Sequence, residues 1–120
     1  MNEIIIKFRF YIMWTYIVAL FVLLTTPLPL QEGYQTATYA TYAHFLMFFI
    51  LVIIVWFAYL FSIDMIMLIK LLAFAIIMEI IQLPLPYRVF DIMDMTMNVI
   101  GVLTAYLLLK ILKNMFLNTS

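Results

Sequence analysis

The chain of 120 residues is 69% hydrophobic and only 10% charged, its formal net charge is zero, and it contains no cysteine. A soluble domain carries about 25% charged residues, so most of this apolar surface must face lipid. The neutral charge balance argues against a nucleic-acid partner. The absence of cysteine excludes disulfides, thiolate metal sites and cysteine nucleophiles.

Four apolar runs predict an all-α, polytopic membrane protein whose four transmembrane helices form one small bundle, a single domain over residues 1–120. Each run approaches the roughly 17–25 residues that a helix needs to cross a membrane. The predicted spans are about 8–26, 43–62, 66–83 and 92–112. The segment Leu30–Tyr42 is predicted to be a polar, aromatic loop and Ser62–Met65 a tight turn. Pro84 and Pro86 end the third span, because proline cannot continue a helix.

The basic residues predict the orientation of the bundle. Four spans place both termini on the same side of the membrane. Five of the six basic residues fall on that side, and the sixth, Arg88, falls on the other. Because positively charged residues concentrate on the cytoplasmic side, both termini are predicted to be cytoplasmic. The basic residues on that side are Lys7, Arg9, Lys70, Lys110 and Lys113.

Polar side chains concentrate at the opposite, outer end of the predicted spans. With a rise of 1.5 Å per helical residue, all of them lie within about 10 Å of one membrane surface. In chain order they are His44, Glu79, Gln82, Arg88, Asp91, Asp94 and Asn98.

A polar-to-small stripe follows one face of the fourth span, at Asp91, Asp94, Asn98, Gly101 and Ala105. These positions are three and four residues apart, the spacing of one helix face, and small residues let helix backbones approach closely in lipid. We expect this stripe to pack against the third span. Such packing would close a pocket that is shared with the second span.

The polar residue types suit two kinds of chemistry. His44 with Glu79 and Asp94 is a candidate catalytic group for general acid–base work. Arg88 could hold a phosphate or carboxylate by a bidentate contact, and Gln82, Asp91 and Asn98 are the other candidate ligand-binding residues. The sequence predicts no cofactor and no metal, because the spacing matches no metal motif and a second histidine is absent.

Structural roles remain open for the same residues. Asp91 suits the N-cap of the fourth helix, and Arg88 could anchor to lipid phosphate. Asn98 could hold the bundle through an interhelical hydrogen bond, and His44 could simply lie at the interface. Glu79 is the hardest to explain structurally, since it lies below the surface with no basic residue on its own helix face.

Two sequence blocks resemble the VanZ-like family of small bacterial membrane proteins. The first, His44-Phe45-x-x-Phe48, is similar to the family's His-Phe element at the start of the second span. The second resembles the family's Glu-x-x-Gln, Pro-Gly-Arg, Asp, Asn and Gly run. It reads Glu79-x-x-Gln82, Pro86-Tyr87-Arg88 and Asp91-x-x-Asp94-x-x-x-Asn98-x-x-Gly101.

The chain departs from the family pattern at a few positions. Ala40 and Thr41 stand where the family often has Asp-Lys, Tyr87 replaces the glycine of Pro-Gly-Arg, and Ala105 replaces a later glycine. The loss of the Asp-Lys pair bears on any activity that uses those two side chains.

The resemblance implies a multi-pass protein of the bacterial cytoplasmic (inner) membrane. The family takes its name from a glycopeptide-resistance cluster, where its member is linked to lowered sensitivity to teicoplanin more than to vancomycin. We therefore expect an outward-facing polar site that recognises a lipid-linked or peptidoglycan-derived group, with membrane lipids as further partners and the oligomeric state undetermined. The alternatives are an intramembrane acid–base enzyme that acts on a lipid-linked substrate and a structural subunit of a larger complex.

Overall fold

The computed structural model describes residues 2–26, 37–86 and 92–117. Throughout this part of the chain the regular structure is helical, and each helix is long and apolar enough to span a membrane. The predicted all-α architecture with four such helices is confirmed. The helices are α1 (Glu3–Thr25), α2 (Ala37–Ala58), α3 (Met65–Gln82) and α4 (Ile92–Leu117).

The outer surface of the bundle is apolar along all four helices. Trp14 of α1, Ile69 of α3 and Leu107 of α4 each expose more than half of their area. A soluble monomer rarely exposes so much contiguous apolar surface. These side chains therefore fit contact with lipid, as expected of a multi-pass membrane protein.

The second helix begins and ends earlier than predicted. Residues from Ala37 onward are helical, although the sequence predicted a loop up to Tyr42; the preceding part of that loop lies outside the described residues. Alanine is the best helix former and no glycine or proline interrupts this stretch, so the helix continues beyond the apolar run.

The turn between α2 and α3 explains the early end of α2. Leu60 and Phe61 have left-handed backbone conformations, with φ of 58° and 64°, and Phe61 donates its N–H to the carbonyl of Trp56 at 2.7 Å. Helix α3 then starts where the Asp64 side chain accepts the N–H of Met67 at 2.8 Å. The chain thus reverses before the turn that was predicted at 62–65.

Helices α2 and α4 form the centre of the bundle and share its most extensive contact. They run parallel, because His44 of α2 contacts Asn98 near the start of α4, while Trp56 and Leu109 line one cleft further along both helices. The fully buried side chains of these two helices include Phe48, Leu51, Val52, Val102 and Ala105.

Helices α1 and α3 flank this pair and run antiparallel to it. The Tyr16 hydroxyl of α1 donates to the carbonyl of Met47 in α2 at 2.7 Å, and α3 packs against α4. The starts of α2 and α4 therefore lie beside the ends of α1 and α3. We call this the site end of the bundle, and the opposite end, where α1 begins and α4 ends, the terminal end.

The small-residue stripe of α4 packs against α2, so the prediction that it packs against α3 is wrong for Gly101. A Cβ atom added to Gly101 would lie 2.5 Å from the carbonyl oxygen of Phe45 and 3.3 Å from the backbone nitrogen of Phe49. Only glycine allows the two backbones to approach so closely. Asn98, one turn earlier on the same stripe, contacts both α2 and α3.

Arg9 joins α1 to α2 at the terminal end. Its Nη1 atom donates to the carbonyl of Phe57 at 3.1 Å. Its guanidinium carbon also lies 4.5 Å from the ring centroid of Phe57 and 5.2 Å from that of Phe61. The planar guanidinium can satisfy the carbonyl and stack on rings at the same time, which an ammonium group cannot do equally well.

We expect Arg9→Lys to lower the free energy of unfolding by about 1 kcal/mol, because the charge is kept but the stacking and the directed hydrogen bond are weakened. Thermal unfolding in detergent micelles measures the change. Lys7→Arg at an exposed position of the same helix is the control and should have no effect. Equal stability of Arg9→Lys and the wild type would contradict a role for the stacked guanidinium.

Candidate functional site

The helix topology brings polar residues from three helices to the site end. His44 lies about two turns into α2, and Glu79 lies in the last turn of α3. Asp94 and Asn98 lie in the first two turns of α4. Antiparallel packing of α3 on α4 and parallel packing of α2 beside α4 place these positions at one level. The predicted meeting of His44, Glu79, Asp94 and Asn98 is thus observed in the structure.

Asn98 of α4 forms hydrogen bonds to both α2 and α3 through the two ends of its side-chain amide. Its Nδ2 atom donates to the carbonyl of Ala75 in α3 at 3.2 Å, and its Oδ1 atom lies 2.9 Å from Nδ1 of His44 in α2. A backbone carbonyl can only accept, so the amide nitrogen must face Ala75. The amide oxygen must therefore face His44, and the Nδ1 atom of the imidazole carries a proton and donates it.

The second ring nitrogen of His44 faces the carboxylates. Its Nε2 atom lies 3.5 Å from Oδ2 of Asp94. One ligand-type atom each from His44, Glu79 and Asp94 lies within 4.8 Å of the others. We call these three side chains the His–Glu–Asp cluster. Since Asn98 occupies Nδ1, Nε2 is the nitrogen that is available for proton transfer or ligation.

The cluster is almost completely removed from the surface of the molecule. Glu79 is 1% exposed, Asn98 0% and His44 6%, while the Asp94 side chain is 15% exposed. Inserting an ionised side chain at the centre of a membrane costs about 2.5–3.5 kcal/mol, and less towards the interface. Three buried polar groups and a fourth, Asp94, that is only partly exposed exceed what the packing of a small bundle requires.

Gln82 has a structural contact that the sequence did not predict. Its Nε2 atom donates to the carbonyl of Leu24 at the end of α1, at 2.5 Å. This bond joins α3 to α1 at the site end and uses one of the two amide donors. Gln82 was predicted to bind a ligand, and the Leu24 contact leaves its side-chain carbonyl oxygen and its second N–H for such a role.

Two predicted residues cannot be placed. Arg88, the candidate anion-binding residue, and Asp91, the candidate N-cap of α4, both lie outside the described residues. Their roles stay predictions. In the chain they fall between the end of α3 and the start of α4.

Sequence reasoning missed the backbone partners of the site. The backbone carbonyls of Ala75 and Leu24 accept hydrogen bonds from the buried side-chain amides of Asn98 and Gln82. Every residue has a backbone carbonyl, so the residue type does not indicate such a partner. Ala75 offers a weak signal, because it precedes Glu79 by one helical turn and lies on the same face. Its small side chain, which is fully buried, lets Asn98 reach the α3 backbone.

The described residues also border a cleft of about 230 Å³ that is remote from this cluster. It lies towards the terminal end and is lined by Trp56, Tyr106, Lys110 and Lys113 among others. None of the predicted site residues contributes to it. The polar cluster and this cleft therefore lie at opposite ends of the bundle.

Comparison with known proteins supports the family resemblance. The model of the family described as VanZ/LLP1 matches residues 6–113, which is nearly the whole chain and covers most of every helix. No curated protein and no solved structure matches the chain significantly. The chain therefore belongs to the VanZ/LLP1 family of membrane proteins.

Proposed function

We propose that the protein recognises the polar group of a lipid-linked or peptidoglycan-derived molecule of the bacterial cell envelope, at the site end of its bundle. The observation that supports this proposal is the buried meeting of His44, Glu79, Asp94 and Asn98, in a chain that is otherwise apolar. Polar groups inside a membrane are costly, and they mark functional sites more often than structural ones.

The distribution of charge supports an outward orientation of this end. Helices α1 and α3 start at the terminal end and α4 finishes there, and this half of the bundle carries five of the six basic residues of the chain. By the positive-inside rule, the terminal end would face the cytoplasm and the site end would face outward from the bacterial cytoplasmic membrane. Envelope precursors and lipid-bearing glycopeptides such as teicoplanin are found on that outer side.

Arg88 would hold the anionic part of such a ligand, and Glu79, Asp94 and Asn98 would shape the pocket with His44 at its side. In this proposal the protein lowers sensitivity to teicoplanin by engaging the antibiotic or its target, without a chemical step. Membrane lipids surround the exposed apolar faces of all four helices.

Antibiotic sensitivity tests this proposal directly. In a susceptible Gram-positive host that carries the wild-type chain, we expect protection from teicoplanin that exceeds protection from vancomycin. Glu79→Ala and Arg88→Ala should reduce the protection to that of the empty host. Asp64→Asn, a carboxylate change at the cap of α3 on the terminal end, should keep it. Membrane abundance is measured for every strain, and a well-expressed wild type that gives no protection would contradict the resistance role.

An intramembrane acid–base enzyme is the second candidate, and the fixed orientation of the His44 ring favours it. The Asn98 amide oxygen accepts Nδ1–H and orients the ring, while Nε2 lies 3.5 Å from Asp94, so a proton could pass between Nε2 and the carboxylates. The variant Glu79→Gln separates the two functions. A binding site keeps part of its function, because shape and hydrogen bonding survive, whereas an enzyme that needs the Glu79 proton should lose about 10²–10⁴-fold in rate.

A structural subunit of a larger complex predicts a third pattern. Single substitutions at the site end would then change function only in proportion to the amount of protein in the membrane. Plotting protection against abundance for the same set of strains distinguishes this outcome from the other two.

A further inference from the structure

The three donor groups of the His–Glu–Asp cluster form a set that suits a metal ion. We propose that Nε2 of His44 and the carboxylates of Glu79 and Asp94 bind one divalent cation of the Zn²⁺ or Mn²⁺ class. The donors come from three different helices, and one atom of each lies within 4.8 Å of the others. Imidazole nitrogen and carboxylate oxygen are ordinary ligands of these ions.

The separation of the donors is closer to that of two metal ligands than to that of a hydrogen-bonded pair. His44 Nε2 and Asp94 Oδ2 are 3.5 Å apart, and a strong charge-assisted N–H···O bond is about 2.7–2.9 Å long. Two ligands about 2.1 Å from a tetrahedral zinc ion lie about 3.4 Å from each other. A pair at the limit of 4.8 Å would close by about 1.4 Å on binding, a movement that carboxylate rotamers supply.

The partner of the other ring nitrogen matches that of a metal-bound histidine. A ligating imidazole commonly donates its second N–H to a fixed acceptor, which sets both its tautomer and its orientation. Here Nδ1 of His44 donates to Oδ1 of Asn98 at 2.9 Å, and the Asn98 amide is itself held by the carbonyl of Ala75. This contact leaves Nε2 on the side of Asp94, where its lone pair would bind the ion.

Charge balance also favours a cation. Glu79 and Asp94 together carry two negative charges when ionised, and five of the six basic residues lie in the other half of the bundle. A divalent ion beside a neutral imidazole compensates both carboxylates in a setting where uncompensated charge is costly.

The sequence predicted no metal, because its spacing matches no metal motif. That criterion detects ligands that share one helix or one loop, whereas these three come together only through helix packing. The metal site does not depend on the identity of the ligand that is proposed above, and it is testable on the protein alone.

Ion binding to purified protein in detergent micelles tests the inference. After treatment with chelator and its removal, Zn²⁺ and Mn²⁺ binding is measured by equilibrium dialysis, and Co²⁺ serves as a visible-absorption probe of the coordination. We expect one ion per chain. His44→Ala and Glu79→Gln should each weaken binding by at least about 100-fold, and Asn98→Ala by about 10–100-fold, as for a group that orients a ligand.

Asp64→Asn is the matched control, since it removes an exposed carboxylate at a helix cap and leaves a residue that caps equally well. Its affinity should equal that of the wild type. Glu79→Gln preserves the size of the side chain, so a thermal melt that matches the wild type without metal shows that its loss of binding is not a loss of fold.

In a second readout, the ¹⁵N signals of the imidazole report which nitrogen is bound. The metal should shift Nε2 and leave a proton on Nδ1, and His44 is the only histidine in the chain. Absence of stoichiometric binding for all three ions would overturn the proposal, as would binding that His44→Ala leaves unchanged. An Nε2 atom that stays protonated in the presence of each ion would also overturn it, because the cluster would then hold an imidazolium.

Discussion

Asn98→Leu is expected to lower the free energy of unfolding by about 2–3 kcal/mol and to release the His44 ring from a single tautomer. Leucine is similar in size but offers neither donor nor acceptor. The substitution removes the bond to the Ala75 carbonyl at 3.2 Å and the bond from His44 Nδ1 at 2.9 Å. A buried N–H without an acceptor then remains on a ring that is only 6% exposed.

The two effects have separate measurements. Unfolding in mixed micelles of increasing denaturing-detergent content measures the stability, and Asn114→Leu, at an exposed position of the same helix, is the control that should change it little. The ¹⁵N spectrum of histidine-labelled protein measures the tautomer. In the wild type we expect the proton on Nδ1, and in Asn98→Leu a mixture of forms. A wild-type ring with a bare Nδ1 would show that the Asn98 amide does not accept from His44.

The sequence was sufficient to predict which polar residues meet, for a geometric reason. Hydropathy delimits the spans, and successive spans cross the membrane in opposite directions. The starts of the second and fourth spans therefore lie at the same membrane surface as the end of the third. His44, Glu79, Asp94 and Asn98 must then lie at one end whatever the detailed packing. The family match over residues 6–113 supports the same resemblance that the motifs around these residues indicate.

The pairing of helices could not be predicted in the same way. The stripe of α4 that contains Asn98 and Gly101 offers a close-approach surface to any neighbouring helix, and nothing in residue type distinguishes α2 from α3. The structure places Gly101 on the α2 backbone and lets Asn98 reach both helices. Which helix takes the closest contact depends on the shape of the whole bundle, which short motifs do not encode.

Backbone contacts explain the remaining differences. Gln82 was predicted to bind a ligand from its position at the outer end of the third span, and the structure adds a bond from its amide to the carbonyl of Leu24. The end of α2 was predicted at the last apolar residues, yet left-handed conformations at Leu60 and Phe61 end the helix sooner. Leucine and phenylalanine rarely adopt this conformation, so their residue types did not predict the turn.

Gly101→Leu is expected to separate α2 from α4 and to abolish the native packing of the bundle. Even the first added atom, Cβ, would lie 2.5 Å from the Phe45 carbonyl oxygen, and that oxygen belongs to a helix backbone that cannot rotate away. Overpacking by one methyl group typically costs about 1–3 kcal/mol, which is the effect we expect for Gly101→Ala. Leucine adds further carbon atoms to the same contact and should exceed that range.

The stability loss should be accompanied by damage to the site, since Gly101 lies one turn from Asn98 on the same face of α4. Displacing α2 at Phe45 moves the adjacent His44 away from Asn98, so the Nδ1 proton of the ring should lose its fixed acceptor in Gly101→Ala as well. Ala73→Leu is the matched control, because it adds apolar atoms at an exposed position on α3. Thermal unfolding and the His44 ¹⁵N spectrum are compared across these variants. If Gly101→Leu melts like Ala73→Leu, the close approach of α2 and α4 is not what holds the site together.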